Sequence, residues 1–139
     1  MTDKIAAANR ELVRRFYKEV YVDWNMALVD EVVAPRFTSH DWPEDGPTGP
    51  QAFRDYYAAI RFVVPDAHYE VDDLIAEGDK VAVYLTFEAK NQKLATMGAA
   101  PHGKNVRISV FCLLTIKDGK IIEKRAHFDV ADIRAQLSA

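Results

Sequence analysis

His127 and Asp129 stand two residues apart near the end of a predicted strand, so an imidazole and a carboxylate share one face of the extended chain. That pair can move protons. A carboxyl group in an apolar pocket has its pKa raised toward neutrality and acts as acid and base in turn, while the imidazole can hold it or donate to a developing enolate. Glu123 and Arg125 lie on the same face, with Ile122, Ala126, Phe128 and Val130 on the other. Either the charged face is solvated or it forms the polar end of a pocket. Arg125 can contact an acidic group or an ester carbonyl, or pair with Glu123. Asp129 has a second role open to it: Val130, Ile133 and Leu137 follow at helical spacing, and an aspartate before such a stripe caps a helix. His40, beside Asp41 and Trp42, can orient a substrate carbonyl or simply bond loop backbone.

Other chemistries find no support in the spacing. His40, His68, His102 and His127 are scattered, without a His-Glu-x-x-His or comparable ligand set, so no metal site is expected. There is no Gly-rich phosphate loop and no Gly-x-Ser-x-Gly elbow, so no cofactor and no nucleophile are expected either. Cys112 is the only cysteine, which rules out an internal disulfide. The net charge of -3 is spread along the chain, with no basic stripe for nucleic acid. No signal-like N-terminus and no bilayer-length apolar run is present, so the expectation is a soluble, cytoplasmic protein without membrane contact.

The elements that must carry these residues follow from hydrophobic period. Val106, Ile108, Val110, Cys112, Leu114 and Ile116 alternate with Arg107, Ser109, Phe111, Leu113 and Thr115 as a strand, and Asp118-Gly119 turns it back toward His127. Tyr69 to Ala76 and Val81 to Ala89 form a second hairpin around Glu77-Gly78-Asp79-Lys80. Ile5, Ala8, Leu12, Phe16 and Val20 predict a long amphipathic first helix. Asn25 caps a second helix through Val33 that Pro35 ends, and Thr48 and Gln51 open a third with Phe53, Tyr56, Tyr57, Ile60 and Val64 as its stripe. Phe37 to His40 reads as briefly extended, 41–48 as a loop bearing Trp42, and 91–103 as a loop containing His102. Helices first, then an antiparallel meander and a short last helix, is an α+β pattern, in one domain over residues 1–139. Phe111 and Leu113 make the long strand apolar on its second face too, which predicts a homodimer through the sheet.

Taken together, Phe37-Thr-Ser-His40-Asp41-Trp-Pro43, Gly46-Pro-Thr-Gly-Pro-Gln-Ala-Phe53, Val64-Pro-Asp66, Asp73-Leu-Ile-Ala-Glu-Gly-Asp79-Lys-Val81 and Asp118-Gly-Lys-Ile-Ile-Glu123 with Asp129 resemble the SnoaL-like polyketide cyclase (ester cyclase) family. The resemblance implies the nuclear transport factor 2-like cone: three N-terminal helices packed on a curved, mainly antiparallel sheet, with a short C-terminal helix. It implies a cofactor-independent intramolecular aldol ring closure in an aromatic polyketide-like carbonyl or ester substrate, with Asp129 in the place of the family's C-terminal aspartate. Only the Asp129 role comes from the resemblance; from the residues themselves, His127 is expected to assist it, and His40, Trp42, Phe53, Tyr57 and Arg125 to contact a small hydrophobic organic molecule. An isomerase or hydrolase acting on a ketosteroid- or epoxide-type substrate, or a binding module without catalysis, is the alternative on the same fold. Two stretches depart from the family: Lys124-Arg125 stands where relatives usually carry His-Trp, and Met97-Gly-Ala-Ala-Pro101-His102-Gly103 where they carry Gly-Ile-Pro-Pro-Thr-Gly.

Overall fold

A computed structural model describes residues 2–89 and 105–138, and its two hairpins form where the turn chemistry puts them. In chain order the elements are α1 (Thr2–Arg15), a π-helical segment (Phe16–Val22), a 3-10 turn (Met26–Leu28), the one-turn helix α2 (Val29–Val32), β1 (Val33–Ser39), α3 (Gly49–Val63), β2 (His68–Glu77), β3 (Lys80–Ala89), β4 (Val106–Lys117), β5 (Lys120–His127) and α4 (Val130–Ser138). Asp118 and Gly119 take φ values of +54° and +74°, the paired left-handed residues that a tight β4–β5 turn requires. The strands lie in the order β1-β5-β4-β3-β2, with β1 parallel to β5 and every other pair antiparallel. The result is an α+β fold with a curved, open sheet. The loop expected over 91–103, with His102, lies outside the described residues.

The period-two pattern decides which face meets the helices. Val81, Val83 and Leu85 of β3 and Cys112, Leu114 and Ile116 of β4 are buried against Val13, Phe16, Tyr17 and Val20. The first helix shows a different stripe from the one its aliphatic spacing predicts. Ala6, Asn9, Val13 and Phe16 are buried, whereas Ile5 is 58% exposed. Past Arg15 the helix widens into a π turn, and two adjacent pairs, Phe16–Tyr17 and Val20–Tyr21, are buried in the core together. Asn9 ties this helix to the sheet, its Nδ2 donating to the Gly78 carbonyl at 3.1 Å.

The second helix is shorter than expected. Asn25 makes no side-chain capping bond, and Val33 is already extended, so β1 runs Val33–Ser39 and contains Pro35. A proline fits there because β1 lies at the edge of the sheet among the described strands. β1 also explains Gly49, the first residue of α3, with φ +88°: a Cβ built there would sit 2.5 Å from the Pro35 carbonyl oxygen. Only glycine lets α3 start this close to β1.

Candidate functional site

Between α3, the 41–48 loop and the helix-facing side of β4 and β5 lies a cavity of about 430 Å³, a size that suits a small organic molecule. Its wall is aromatic and interlocked. Tyr57 stacks on Phe53 with ring centroids 5.6 Å apart and planes 6° apart, and Trp42 meets Phe37 edge-on at 5.4 Å. Phe87, Val110, Ala126 and Phe128 continue the apolar lining across the sheet.

The polar end of the cavity is set by a bulge. The β4–β5 register shifts between Thr115 and Ile116, which leaves Ile122 as an extra residue and reverses the parity of everything after it. Ile121 is buried, and beyond the bulge Lys124, Ala126 and Phe128 line the cavity. The odd residues Glu123, Arg125 and His127 therefore face outward.

Lys124 Nζ donates to the Tyr21 hydroxyl at 3.0 Å and sits 5.5 Å from the centre of that ring. Burial works against its charge, but the Tyr21 and Cys112 side chains beside it, the bond to Tyr21 and the Asp41 carboxylate outweigh that, holding the ammonium above the usual lysine value. Asp41, also in the lining, accepts hydrogen bonds from the Ser39 hydroxyl and, at 3.0 Å, from the Tyr56 hydroxyl. Burial alone would raise its pKa; Ser39, the Lys124 charge and Tyr56 together carry it below the ordinary carboxylate value. The Tyr56 phenol is pushed up to about 12 by burial and by Asp41. On the aromatic wall, Tyr57 is raised well above the usual phenol range by burial and its neighbours Tyr69 and Tyr21.

The residues singled out in the sequence divide between the cavity and the outside. Trp42, Phe53 and Tyr57 line the cavity. His40 is exposed, with Nε2 3.4 Å from Glu123 Oε1, and Arg125 takes its ion-pair alternative, Nε 3.5 Å from the same oxygen. His127 pairs across the ladder with Phe111 on the outer face. Asp129 takes the capping alternative: its Oδ1 accepts from the Asp132 backbone N–H at 3.2 Å and its carbonyl from Ile133 at 3.3 Å. Neither His127 nor Asp129 is among the lining residues. Asp129→Ala is expected to lower stability by about 1 kcal/mol while leaving turnover unchanged, checked by thermal unfolding and a rate assay side by side.

Asp41, Tyr21, Lys124, Ser39 and Tyr56 were not legible as site residues. The one signal for Lys124 was its departure from the His-Trp of relatives; its inward direction depends on the bulge. With a carboxylate and an ammonium–phenol pair at one end of an aromatic cavity, the arrangement can take a proton from a bound carbon acid and balance negative charge on oxygen.

A sequence model of the SnoaL-like polyketide cyclase family matches residues 11–137. No curated protein sequence gives a significant match. Among solved structures, a candidate SnoaL-like polyketide cyclase from Jannaschia sp. CCS1 superposes with a TM-score of 0.82 at 26% identity, covering 97% of this chain and 94% of that one. A candidate polyketide cyclase from Bacillus cereus ATCC 10987 gives 0.76 at 26% identity, covering 99% and 85%. IdmH of Streptomyces antibioticus gives 0.79 over 94% and 99%, at 20% identity, a likeness of fold alone.

Proposed function

The chain belongs to the SnoaL-like polyketide cyclase family, and from that membership and the chemistry of its cavity we propose that it closes a ring in an aromatic polyketide-like carbonyl compound by intramolecular aldol chemistry. The observation that carries the reading is the placement of Asp41 and the Lys124–Tyr21 pair at one end of an otherwise apolar, largely aromatic and aliphatic cavity. Asp41, kept ionised, takes a proton from the carbon between two carbonyls. Charge that builds on the enolate oxygen meets the Lys124 ammonium and the Tyr21 hydroxyl. The carbanion adds to the second carbonyl, forming the carbon–carbon bond, and the resulting alkoxide takes back the proton held by Asp41. The aromatic walls fold the substrate so that the two carbons meet and water is excluded.

Product analysis tests this. Incubation with a linear aromatic β-dicarbonyl substrate is expected to give a ring with a new carbon–carbon bond, identified by mass and NMR. A moved double bond or added water would place the protein with isomerases or hydrolases instead.

The outer sheet face supports a second copy of this chain as partner. Two ladders cross it: Asp73–Tyr84–Phe111–His127 and Ile75–Ala82–Leu113–Arg125. Ile75, Tyr84 and Phe111 are 63%, 46% and 45% exposed. A two-fold axis along the strands sets the Arg125/His127 edge of one copy over the Asp73 edge of the other and buries the apolar middle. Light scattering is expected to report twice the 15.7 kDa chain mass, and Phe111→Glu to return the monomer. A wild-type monomer at all concentrations would end the proposal.

A further inference from the structure

Lys124 puts a full positive charge at the polar end of a cavity whose walls are otherwise mostly apolar, and no carboxylate of the described residues is in contact with it. An ammonium has three donors, of which one goes to Tyr21. Among the described residues no carboxylate lies within ion-pair distance of it. Asp41 acts on it through space only and is itself engaged by Ser39 and Tyr56. Residues 90–104 contain no Asp or Glu and so bring no side-chain carboxylate. The contrast with the surface is sharp: Arg15, Lys18 and Arg54 each hold a carboxylate oxygen at 2.6–2.9 Å, in water where the pairing matters least. A cation withdrawn from water is costly unless paired, and its retention in an apolar cavity calls for an anion that arrives from outside.

We propose that the anion belongs to the ligand: the cavity takes an aromatic carboxylic acid as its carboxylate, seated on Lys124 with its rings against Trp42, Tyr57 and Phe87, in preference to the neutral ester. The proposal rests on the reading of this cavity as the substrate site and adds the charge of what binds there. In the ring closure, one of the two spare Lys124 donors meets the reacting oxygen and the other holds the carboxylate. The Asp41 carboxylate, turned toward Ser39 and Tyr56, stays available as the base.

The test is a binding measurement that needs no turnover. Isothermal titration calorimetry at pH 7 compares 2-naphthoate with methyl 2-naphthoate, which share a ring system and differ in charge. The wild-type chain is expected to bind the acid at least tenfold more tightly than the ester. Lys124→Met should cost the acid at least tenfold and leave the ester unaffected. Tyr21→Phe, which keeps the charge and removes its hydroxyl partner, should preserve the preference for the acid, and separates loss of charge from damage to the site. Equal binding of acid and ester, or an acid preference that survives in Lys124→Met, overturns the proposal while leaving the cavity as a binding site. Binding of neither compound overturns both the proposal and the reading of the cavity.

Discussion

Asp41→Asn is expected to lower kcat by about 100-fold or more, the usual contribution of a positioned acid/base group, with little change in KM. The amide keeps the size and planarity of the carboxylate and can still accept from Tyr56, so the wall of the cavity stays in place. What it loses is the ability to carry a proton from carbon to oxygen. The pH profile supplies a second signature. Because Ser39, Lys124 and Tyr56 hold the Asp41 carboxyl below its ordinary value, the base form persists through the usual carboxylate range, and the acid limb of kcat/KM should fall only at lower pH. Single-turnover rates across pH for wild type and Asp41→Asn check both points. Full turnover in the amide would remove Asp41 from the chemistry. The binding-module reading would gain from an amide variant that retains ligand while the wild type forms no product.

The second large effect is on stability. Phe16 is fully buried, with ring centroids 5.3 Å from Tyr17, 5.1 Å from Tyr21 and 5.5 Å from Phe53, yet it is not part of the cavity lining. Phe16→Ala removes a large side chain from the meeting point of the helices and leaves a void, at a cost of about 3–5 kcal/mol. A domain of this kind has roughly 5–15 kcal/mol in total, so the melting temperature should fall by about 10 °C or more. Ile5→Ala serves as the control: the same helix, an aliphatic residue from the stripe that the spacing predicts, but exposed, so the change should stay within about 0.5 kcal/mol. Urea unfolding of the two variants decides it. A loss under about 1 kcal/mol for Phe16→Ala would mean that the aromatic cluster does not carry the core.

These two residues also mark where sequence reading succeeds and where it stops. Strands and turns were legible because their signals are local: alternation in Val106 to Ile116, and Asp118-Gly119 at a turn where two left-handed residues are required. The cavity wall was legible in part, since Trp42, Phe53 and Tyr57 are bulky rings on a loop and a helix face. The polar end was not. A strict count of two along β5 aligns Glu123, Arg125, His127 and Asp129 into one charged face, but the direction of that face depends on Ile122 being an extra residue opposite β4, a property of the pairing. The contacts Asp129 and Arg125 make depend in the same way on the fold, on whether a backbone N–H or a neighbouring carboxylate lies in reach.

The π-helical turn at Phe16–Val22 has a consequence for lineage. Such a turn is what a helix becomes when it absorbs one additional amino acid without losing its ends. An α-helix rotates by about 100° per residue, so a descendant or cousin lacking that amino acid would carry its aromatic ring a quarter-turn away from the sheet. Relatives whose first helix stays α-helical throughout should therefore show a one-residue gap at this place. Tyr21, which holds the Lys124 ammonium, lies within this wider turn.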